Sequence, residues 1–349
     1  MVHRPYRAAL KTDPPSSIND PATYGHEQEL SLHPSINVRD VIDSSLNVYN
    51  FEELKTATGN FKEDSRIKGS VYYGVIKGSV IAIKRMEGNA PKEINILNKI
   101  HHSSLIKLSG YCAQGGHFYC VYEYAENGSL RDWVHGNKLF QTLTWIQRIQ
   151  IACDVADGLN YLHNYASPPL IHTNLRSSDI LSNYSFRAKI ANLGMARTVN
   201  NSEERAELTR NVLGTQGYMA PEYMETGIVS PKMDVFAFGV VMLELISGRD
   251  VVTFSNDEDG ISTKRVTLLF QSINQVLKEE NMRSFIDPSL KSEYPLGLAF
   301  FMAQLAKNCT AKDLSTRPNI FDVSIALSKI LSKSFEWDRL DALQRTYHG

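Results

Sequence analysis

The stretch Ile171–Leu181 reads IHTNLRSSDIL, and eleven residues after its end Asn192–Gly194 reads NLG. A long helical pattern precedes both segments, because apolar residues repeat every three or four positions at Ile146, Ile149, Cys153, Ala156, Leu159 and Leu162. This spacing predicts a long core helix that leads directly into the polar stretch. The two segments therefore lie at the centre of the fold, and their polar side chains are the first candidates for a functional site.

The composition indicates a packed cytosolic protein. The 349 residues are 42% hydrophobic and 21% charged, which suits one large or two small lobes. The formal net charge of −1 gives no field that would attract nucleic acid or acidic lipid. The cysteines are widely spaced without a C-x-x-C pair, which favours free thiols in a reducing compartment, at Cys112, Cys120, Cys153 and Cys309.

Targeting signals are not evident in the sequence. The N-terminus MVHRPYRAALKTD lacks the apolar core of a signal peptide. The longest apolar run, Val235–Ile246, is too short to cross a bilayer and contains Glu244. We therefore expect a cytoplasmic chain that reaches a membrane only through a segment absent from this sequence.

The pattern along the chain predicts strands first and helices afterwards. Residues 1–45 are rich in Pro, Ser and Asp, so we expect a disordered, juxtamembrane-like tail, followed by a helical lead-in at 46–64. Strand-like runs fill residues 65–126, with hairpin signals at Lys77-Gly78 and Gly115-Gly116. This order is the α+β pattern of segregated elements.

The second part of the chain, residues 127–333, carries helical patterns. After the core helix, the pattern predicts helices at 232–247, 265–279, 295–310 and 319–333. Residues 334–349 are expected to form a C-terminal tail.

Several short motifs follow one another in the order that protein kinases share. They are IAIK ending at Lys84, a helix carrying Glu93, the frame His172–Asp179, NLG, APE at Ala220–Glu222, D-x-x-x-F-G at Asp234–Gly239, and Arg317. Each is weak alone, but together the chain resembles a protein kinase over about residues 65–332. The resemblance implies a bilobal kinase-like fold, with a small β-rich N-lobe at 65–126 and a large helical C-lobe at 127–333.

A closer resemblance is to the plant receptor-like kinases, through NFEELKTATGNF, HHSSLIKLSGYC, VYEYAENGSL and GTQGYMAPEY. The run IKGSVYYGVIKGSVIAIKRMEGNAPKEINILNKI is similar to the kinase-dead branch of the LysM-type receptors, which sense chitin-like oligosaccharides. This resemblance implies a signalling domain at the cytosolic face of the plasma membrane. It also implies an active receptor-like kinase as partner.

The catalytic loop departs from the general pattern H-R-D-L-x-x-x-x-N. Asn174 occupies the position of the catalytic base, and an amide cannot accept a proton at neutral pH. Arg176 replaces the usual lysine and keeps its positive charge. Thr173 replaces the arginine that would clasp a phosphorylated activation loop, so control through such a loop is hard to build.

The metal positions are also exchanged. Asn192 stands where D-F-G supplies its aspartate, and a neutral amide oxygen is a poorer Mg²⁺ ligand than a carboxylate. Asp179 returns one carboxylate at the second metal position, although capping nearby backbone is the simpler role for it. We expect Mg²⁺ binding to be weak or absent.

The nucleotide roof is degenerate too. Gly69 is the one glycine left of G-x-G-x-x-G, and the segment is about four residues too short to cover a triphosphate, so an ordinary hairpin is favoured. The resemblance implies that Lys84 contacts phosphates and pairs with Glu93, and that Tyr122 is a bulky gatekeeper. ATP binding is therefore expected to be weak if it occurs.

The scaffold residues of the family are retained. By the resemblance, an apolar stack between the lobes, a brace for the catalytic loop and a buried ion pair are formed by His172, Leu193, Leu97, Asp234, Glu222 and Arg317. Thr209 and Thr215 are candidate phosphorylation sites for another kinase, and a structural role in the Gly-Thr turn is favoured for Thr215.

Two functions remain open from the sequence. The favoured one is a pseudokinase that acts as a signalling co-receptor or scaffold for an active receptor kinase in chitin-type sensing. The alternative is a weakly active, ATP-dependent serine/threonine kinase in which Asp179 and Arg176 compensate for the lost groups.

Overall fold

Strands dominate the first part of the computed structural model, which describes residues 46–87, 90–136, 142–198, 207–209, 212–256, 264–278 and 281–347. The tail expected at residues 1–45 lies outside these ranges. Six strands of the described part form one sheet in the order β1-β5-β6-β4-β3-β2. They are β1 (Asn47–Val48), β2 (Arg66–Lys68), β3 (Val71–Ile76), β4 (Ser79–Met86), β5 (Leu108–Gln114) and β6 (His117–Glu123). All the pairs are antiparallel except β1 with β5.

Both predicted hairpins are confirmed. Lys77 and Gly78 have φ angles of 50° and 82°, and Gly115 and Gly116 have 59° and 77°. Positive φ at both central residues gives the two-residue turns whose twist matches the flanking strands. The turns fix the register of β3 with β4, which places Lys84 opposite Val71, and the register of β5 with β6.

The lead-in at residues 46–64 packs onto this sheet. Helix α1 (Phe51–Ala57) is capped by Asn50, whose side chain accepts the N–H of Glu52. Leu54 is fully buried in the core of the lobe with Ile76, Ile81, Ile83, Cys112, Tyr119 and Val121. The lead-in is therefore part of the core of the N-lobe.

Helix α2 (Ala90–Lys99) is the helix of the N-lobe that borders the candidate site. Its buried face carries Glu93, Ile94 and Leu97. Leu105 and Ile106 connect this lobe to the next, because Ile106 donates its N–H to the carbonyl of Ile190.

Helices make up most of the second lobe. They are α3 (Leu130–His135), α4 (Trp145–Asn160), α5 (Pro221–Thr226), α6 (Pro231–Ser247), α7 (Leu269–Lys278), α8 (Met282–Phe285), α9 (Leu296–Cys309) and α10 (Ile320–Tyr347). The core helix α4 begins with a reciprocal capping box between Thr144 and Gln147. It ends in a π-helical turn, Tyr161–Tyr165. Helix α6 is buried along almost its whole length.

Short strands carry the loops that follow α4. They are β7 (Leu170–Ile171), β8 (Ile180–Ser182), β9 (Ala188–Ile190), β10 (Arg197–Thr198), β11 (Glu207–Leu208), β12 (Ile228–Val229), β13 (Val252–Asn256) and β14 (Lys264–Leu268). They pair antiparallel as β7 with β10, β8 with β9, β11 with β12, and β13 with β14. The β8–β9 hairpin connects the segments Ile171–Leu181 and Asn192–Gly194. The N–H of Ala191 donates to the carbonyl of Asp179, so the two segments lie side by side.

Two predicted helices have wrong ends. The helix expected at 265–279 begins only at Leu269, because residues 264–268 pair with β13 as a strand. The helix expected at 319–333 continues to Tyr347, through most of the expected tail at 334–349. The Ser334 hydroxyl donates to the carbonyl of Ile330 and accepts from the Trp145 indole N–H, so a contact with α4 fixes the helix where the end was expected.

Candidate functional site

The N-lobe side of the site is built around the ammonium group of Lys84. Its Nζ lies 3.3 Å from Oε2 of Glu93, which β4 and α2 bring together. The other carboxylate oxygen of Glu93 accepts a hydrogen bond of 3.0 Å from the Tyr122 hydroxyl. Burial raises the pKa of this tyrosine, so it stays a neutral donor. Glu93 is therefore held at both oxygens.

Asn192 joins the two lobes of the site. Its Oδ1 accepts from Lys84 Nζ at 3.2 Å, and its Nδ2 donates to Oδ1 of Asp179 at 3.3 Å. This orientation is required by the partners, since an ammonium only donates and a carboxylate only accepts. The backbone of Asn192 is left-handed, with φ 66° and ψ 52°, a region that asparagine tolerates better than most residues.

Gly194 allows the close approach of α2 to this turn. A Cβ atom at residue 194 would lie 3.0 Å from Oε2 of Glu93. A side chain there would push against the carboxylate that holds Lys84. The glycine is thus needed for packing at the place where the two lobes meet.

On the C-lobe side, Asp179 is engaged by an arginine three residues before it. Arg176 Nε lies 2.8 Å from Oδ2 of Asp179, whose side chain is almost fully buried. The guanidinium also donates to the Thr215 hydroxyl at 3.3 Å, and that hydroxyl donates to Oδ1 of Asn174 at 3.2 Å. An arginine can serve both partners because its planar fork carries several donors in fixed directions.

These contacts form one hydrogen-bonded chain across the site. It runs through Tyr122, Glu93, Lys84, Asn192, Asp179, Arg176, Thr215 and Asn174. The chain contains two cations and two carboxylates, each paired with a group of opposite charge. Both oxygens of Asp179 have partners from the protein itself, so they are not arranged to coordinate a metal ion.

A divalent metal, which kinases use with ATP, does not fit this set of donors. Mg²⁺ requires near-octahedral oxygen ligands and prefers anionic ones. At the two metal positions of this site, Asp179 is the remaining carboxylate, because the side-chain oxygen of Asn192 accepts from Lys84 and its amide nitrogen faces Asp179. The described site is therefore not arranged to hold Mg²⁺.

The roof over the site is a tight hairpin. Strands β2 and β3 are joined by Gly69 and Ser70, with Lys68 opposite Val71. Gly69 has φ 54°, so glycine suits the turn, and the carbonyl of Ser70 accepts the N–H of Arg85 on β4. The chain length that would extend over a triphosphate is absent from this connection.

The carboxylate of Asp234 holds the backbone of the catalytic loop, and we refer to this contact as the Asp234 brace. The carboxylate accepts the backbone N–H groups of His172 and Thr173 at 2.7 and 2.8 Å, and His163 lies 2.8 Å away. Thr173 has φ 69°, a strained region for a β-branched residue. The brace and a hydrogen bond from the Thr173 hydroxyl to the carbonyl of Met195 hold it there.

The three residues expected to form an apolar stack between the lobes are buried. Leu97, His172 and Leu193 are each less than 5% exposed. His172 Nε2 lies 3.0 Å from the carbonyl of Ala191, and a carbonyl only accepts, so the proton is on Nε2. The burial of the three side chains and this hydrogen bond to the backbone are consistent with the structural role expected from the sequence.

Glu222 and Arg317 form a buried bidentate ion pair. Arg317 is fully buried, and its two terminal nitrogens lie 2.7 and 2.6 Å from the two oxygens of Glu222. Its Nε donates to the carbonyl of Ala311, and its guanidinium lies 5.0 Å from the ring centroid of Phe236. This pair attaches α5 to the loop before α10.

The two threonines occupy different surroundings. Thr215 has its hydroxyl inside the hydrogen-bonded chain of the site. Thr209 lies earlier in the same segment, where its hydroxyl accepts from Arg197 at 3.3 Å and its N–H donates to the carbonyl of Gly227.

The sequence did not reveal a second buried network, centred on Glu244. This carboxylate is fully buried in α6 and is bonded by Ser177 at 2.8 Å, Tyr218 at 2.8 Å and His135 at 2.8 Å. Burial and the adjacent carboxylate raise the pKa of Tyr218, which keeps its hydroxyl protonated. The available signal was a glutamate within the apolar run Val235–Ile246, because a buried charge requires partners. The network attaches the catalytic loop to α6.

Comparisons with known proteins agree with this architecture. A sequence model of the protein tyrosine and serine/threonine kinase family matches residues 67–327, well over half of the chain. This chain belongs to the protein kinase family. The bilobal fold predicted from the motif order is confirmed, with a β-sheet N-lobe and a helical C-lobe.

The receptor-like resemblance is confirmed by individual relatives. The chain is 50% identical over 307 residues to Protein LYK5 of Arabidopsis thaliana, covering 86% of this chain and 46% of that protein. It is 39% identical to Chitin elicitor receptor kinase 1 of Arabidopsis thaliana, over 85% of this chain and 48% of that protein. It is 36% identical to LysM domain receptor-like kinase 3 of Arabidopsis thaliana, over 83% of this chain and 47% of that protein. The chain thus spans about half the length of these relatives. Among its described residues, no helix has both the length and the hydropathy to cross a bilayer.

Proposed function

We propose that this chain is a pseudokinase domain that transfers no phosphoryl group. The observation that carries the proposal is the pair of asparagines at the base and main metal positions, Asn174 and Asn192, whose amides are hydrogen-bonded to Thr215, Lys84 and Asp179. Phosphoryl transfer depends on positioned charge around the phosphates and metal. At this site, the carboxylates that would supply the base and the main metal ligand are replaced by neutral amides.

The proton acceptor is absent from the same site. Asn174 Oδ1 accepts a hydrogen bond from Thr215, and an amide has no basicity near neutral pH. Asn174 retains the ability to hold a hydroxyl group by a hydrogen bond. It does not supply the general base that would take the proton from a substrate.

The proposed role is that of a signalling co-receptor or scaffold for an active receptor-like kinase. The retained framework supports this role, because the Asp234 brace and the Glu222–Arg317 pair maintain a kinase shape. Similarity to a relative named Chitin elicitor receptor kinase 1 suggests chitin or a related oligosaccharide as the upstream signal. In this proposal the chain acts at the cytosolic face of the plasma membrane, through a segment outside this sequence.

ATP is proposed to bind weakly and almost independently of Mg²⁺. Lys84 keeps a position for phosphate contact, but its ammonium is shared between Glu93 and Asn192. The two-residue turn at Gly69–Ser70 is too short to cover a triphosphate. Thr209 and Thr215 are proposed as acceptors for a partner kinase, and modification of Thr215 would require the Arg176–Thr215–Asn174 contacts to open.

The alternative is a weak serine/threonine kinase that uses Asp179 as its remaining carboxylate. The Arg176 ion pair and the Asn192 amide occupy both oxygens of that carboxylate, so the structure gives this alternative less support. An autophosphorylation assay of the full chain in Mg²⁺ and in Mn²⁺ distinguishes the two. We expect no transfer above background, and turnover that Lys84→Ala abolishes would overturn the pseudokinase proposal.

A further inference from the structure

A basic cavity lies on the side of α2 that faces away from the site. It has a volume of about 820 Å³ and lies between α2, the Ser167-Pro168 loop, and the ribbon of β7 and β10. Its lining includes the cations Lys92, Lys99 and Arg197 and the apolar side chains of Ile96, Ile100 and Leu170. All of them belong to the described part of the chain.

The helix periodicity explains how one helix serves both the site and the cavity. Lys92, Ile96 and Lys99 are spaced i, i+4, i+7 and share one face of α2. Glu93 and Leu97 lie one residue farther along and face the site. A ligand in the cavity would therefore touch the helix that carries the carboxylate partner of Lys84.

The described lining of the cavity is cationic. Lys92, Lys99 and Arg197 line it, and no carboxylate is among the lining residues that the structure describes. Burial and the nearby Arg197 lower the pKa of Lys92, which is the direction expected when two cations are close together. Arg197 also donates to the Thr209 hydroxyl at 3.3 Å, so its guanidinium is held at the rim.

The shape and the floor of the cavity favour a peptide over a free anion. The floor is apolar, formed by side chains such as Ile96, Ile100 and Leu170, and a volume of several hundred Å³ is typical of sites for larger ligands. A phosphate on a peptide brings about two negative charges and three acceptor oxygens to the cations. Three cations match a phosphate better than a single carboxylate, because the phosphate carries about two negative charges and a third acceptor oxygen.

We propose that this cavity is a docking site for a phosphorylated segment of the partner kinase, with the phosphate at Lys92, Lys99 and Arg197 and an adjacent apolar side chain on the floor. The inference rests on the proposed function, since an active receptor kinase is the source of phosphorylated segments in such a complex. It gives the pseudokinase a way to bind its partner only after the partner has become active. The occupied cavity would also hold α2, and with it the Lys84–Glu93 pair, in the closed position.

The test uses the full chain and defined peptide pools. A pool of labelled nine-residue peptides, random except for a central phosphothreonine, is titrated by fluorescence anisotropy beside pools with central threonine or glutamate. We expect the phosphothreonine pool to bind at least tenfold more tightly than the other two. The double variant Lys92→Ala with Lys99→Ala should lose roughly tenfold per cation, since each removes a charge-assisted contact.

A matched control removes two exposed lysines elsewhere, Lys329→Ala with Lys333→Ala on α10, and should bind as the wild type does. Equal binding of the three pools, or equal loss in both double variants, overturns the proposal.

Lys92 and Lys99 are exposed, so the variant that replaces them should have the same melting temperature as the wild type. If this variant loses the pool but still co-precipitates the partner kinase, the docking inference fails and the scaffold proposal stands. Phosphoryl transfer by the wild-type chain would instead refute the scaffold proposal and leave the binding result intact.

Discussion

Replacing Arg317 by alanine tests whether the retained kinase framework is what the chain needs for its function. The side chain is fully buried, forms a bidentate pair with Glu222, and donates to the carbonyls of Ala311 and Lys232. Arg317→Ala leaves the Glu222 carboxylate buried without its partner. It also removes the cation that lies over the ring of Phe236.

The expected loss is large. Removing one partner of a buried ion pair costs about 3–5 kcal/mol, because the remaining charge stays desolvated. A folded domain has a total stability of only about 5–15 kcal/mol. We therefore expect the melting temperature to fall by roughly 5–15 °C. Binding to the partner kinase should be lost with it, since the docking surfaces depend on this fold.

Three variants make the measurement decisive. Lys312→Ala breaks a neighbouring ion pair with Glu225 at 3.5 Å whose side chains are 80% and 61% exposed, and should change stability by less than about 1 kcal/mol. Glu222→Gln with Arg317→Met removes both charges and should recover much of the loss. Asn174→Asp keeps the acceptor for Thr215 and should leave melting and co-precipitation near wild type. A silent Arg317→Ala beside a strong signalling effect of Asn174→Asp would refute the scaffold argument and return residual catalysis to consideration.

Two further predictions concern the nucleotide and alkaline pH. Calorimetry of the wild type should show weak ATP binding that is nearly the same with and without Mg²⁺. The variant Asn192→Asp should introduce Mg²⁺ dependence, because it adds a carboxylate beside Asp179. Micromolar, Mg²⁺-dependent binding by the wild type would contradict this prediction. Burial raises the pKa of Cys120, Cys153 and Cys309 to about 12 from 9.0. As the pH rises, the thiols of the unfolded chain lose their protons before those of the folded chain. The free energy of unfolding, measured in urea, should therefore fall from pH 9 to 12. Cys309→Ala should make this fall less steep, and an unchanged slope would count against the predicted role of the buried thiol.

The parts of the fold that could be predicted are those specified by local sequence. The Lys77-Gly78 and Gly115-Gly116 turns need positive φ at two neighbouring residues, and glycine makes them recognisable between β-rich runs. The helix predicted at 265–279 starts too early, because the pairing of residues 264–268 with β13 depends on a strand that is separate from them in the chain. The end of α10 was misplaced for a similar reason, since the hydrogen bond between Trp145 and Ser334 joins residues 189 positions apart.

The candidate site was predictable in position and less so in its contacts. The sequence motifs located the residues of the hydrogen-bonded chain from Tyr122 to Asn174, but they did not show that Arg176 would pair with Asp179. It also did not show that Thr215 would connect Arg176 to Asn174, because that contact crosses from the loop to the activation segment. Such contacts depend on side-chain direction and on the distance between loops, which one sequence does not specify.

The exchanged residues form a mutually consistent set. An aspartate at residue 192 would place a second carboxylate against Asp179, and the two like charges would repel unless a cation lay between them. Asparagine instead donates to Asp179 and accepts from Lys84, so the turn closes with protein groups alone. Arginine at residue 176 then neutralises Asp179 and reaches Thr215 at the same time, which a lysine with one terminal nitrogen would do less well. On this reasoning, the substitutions that we propose remove phosphoryl transfer also let the cleft hold a closed kinase shape without a metal ion.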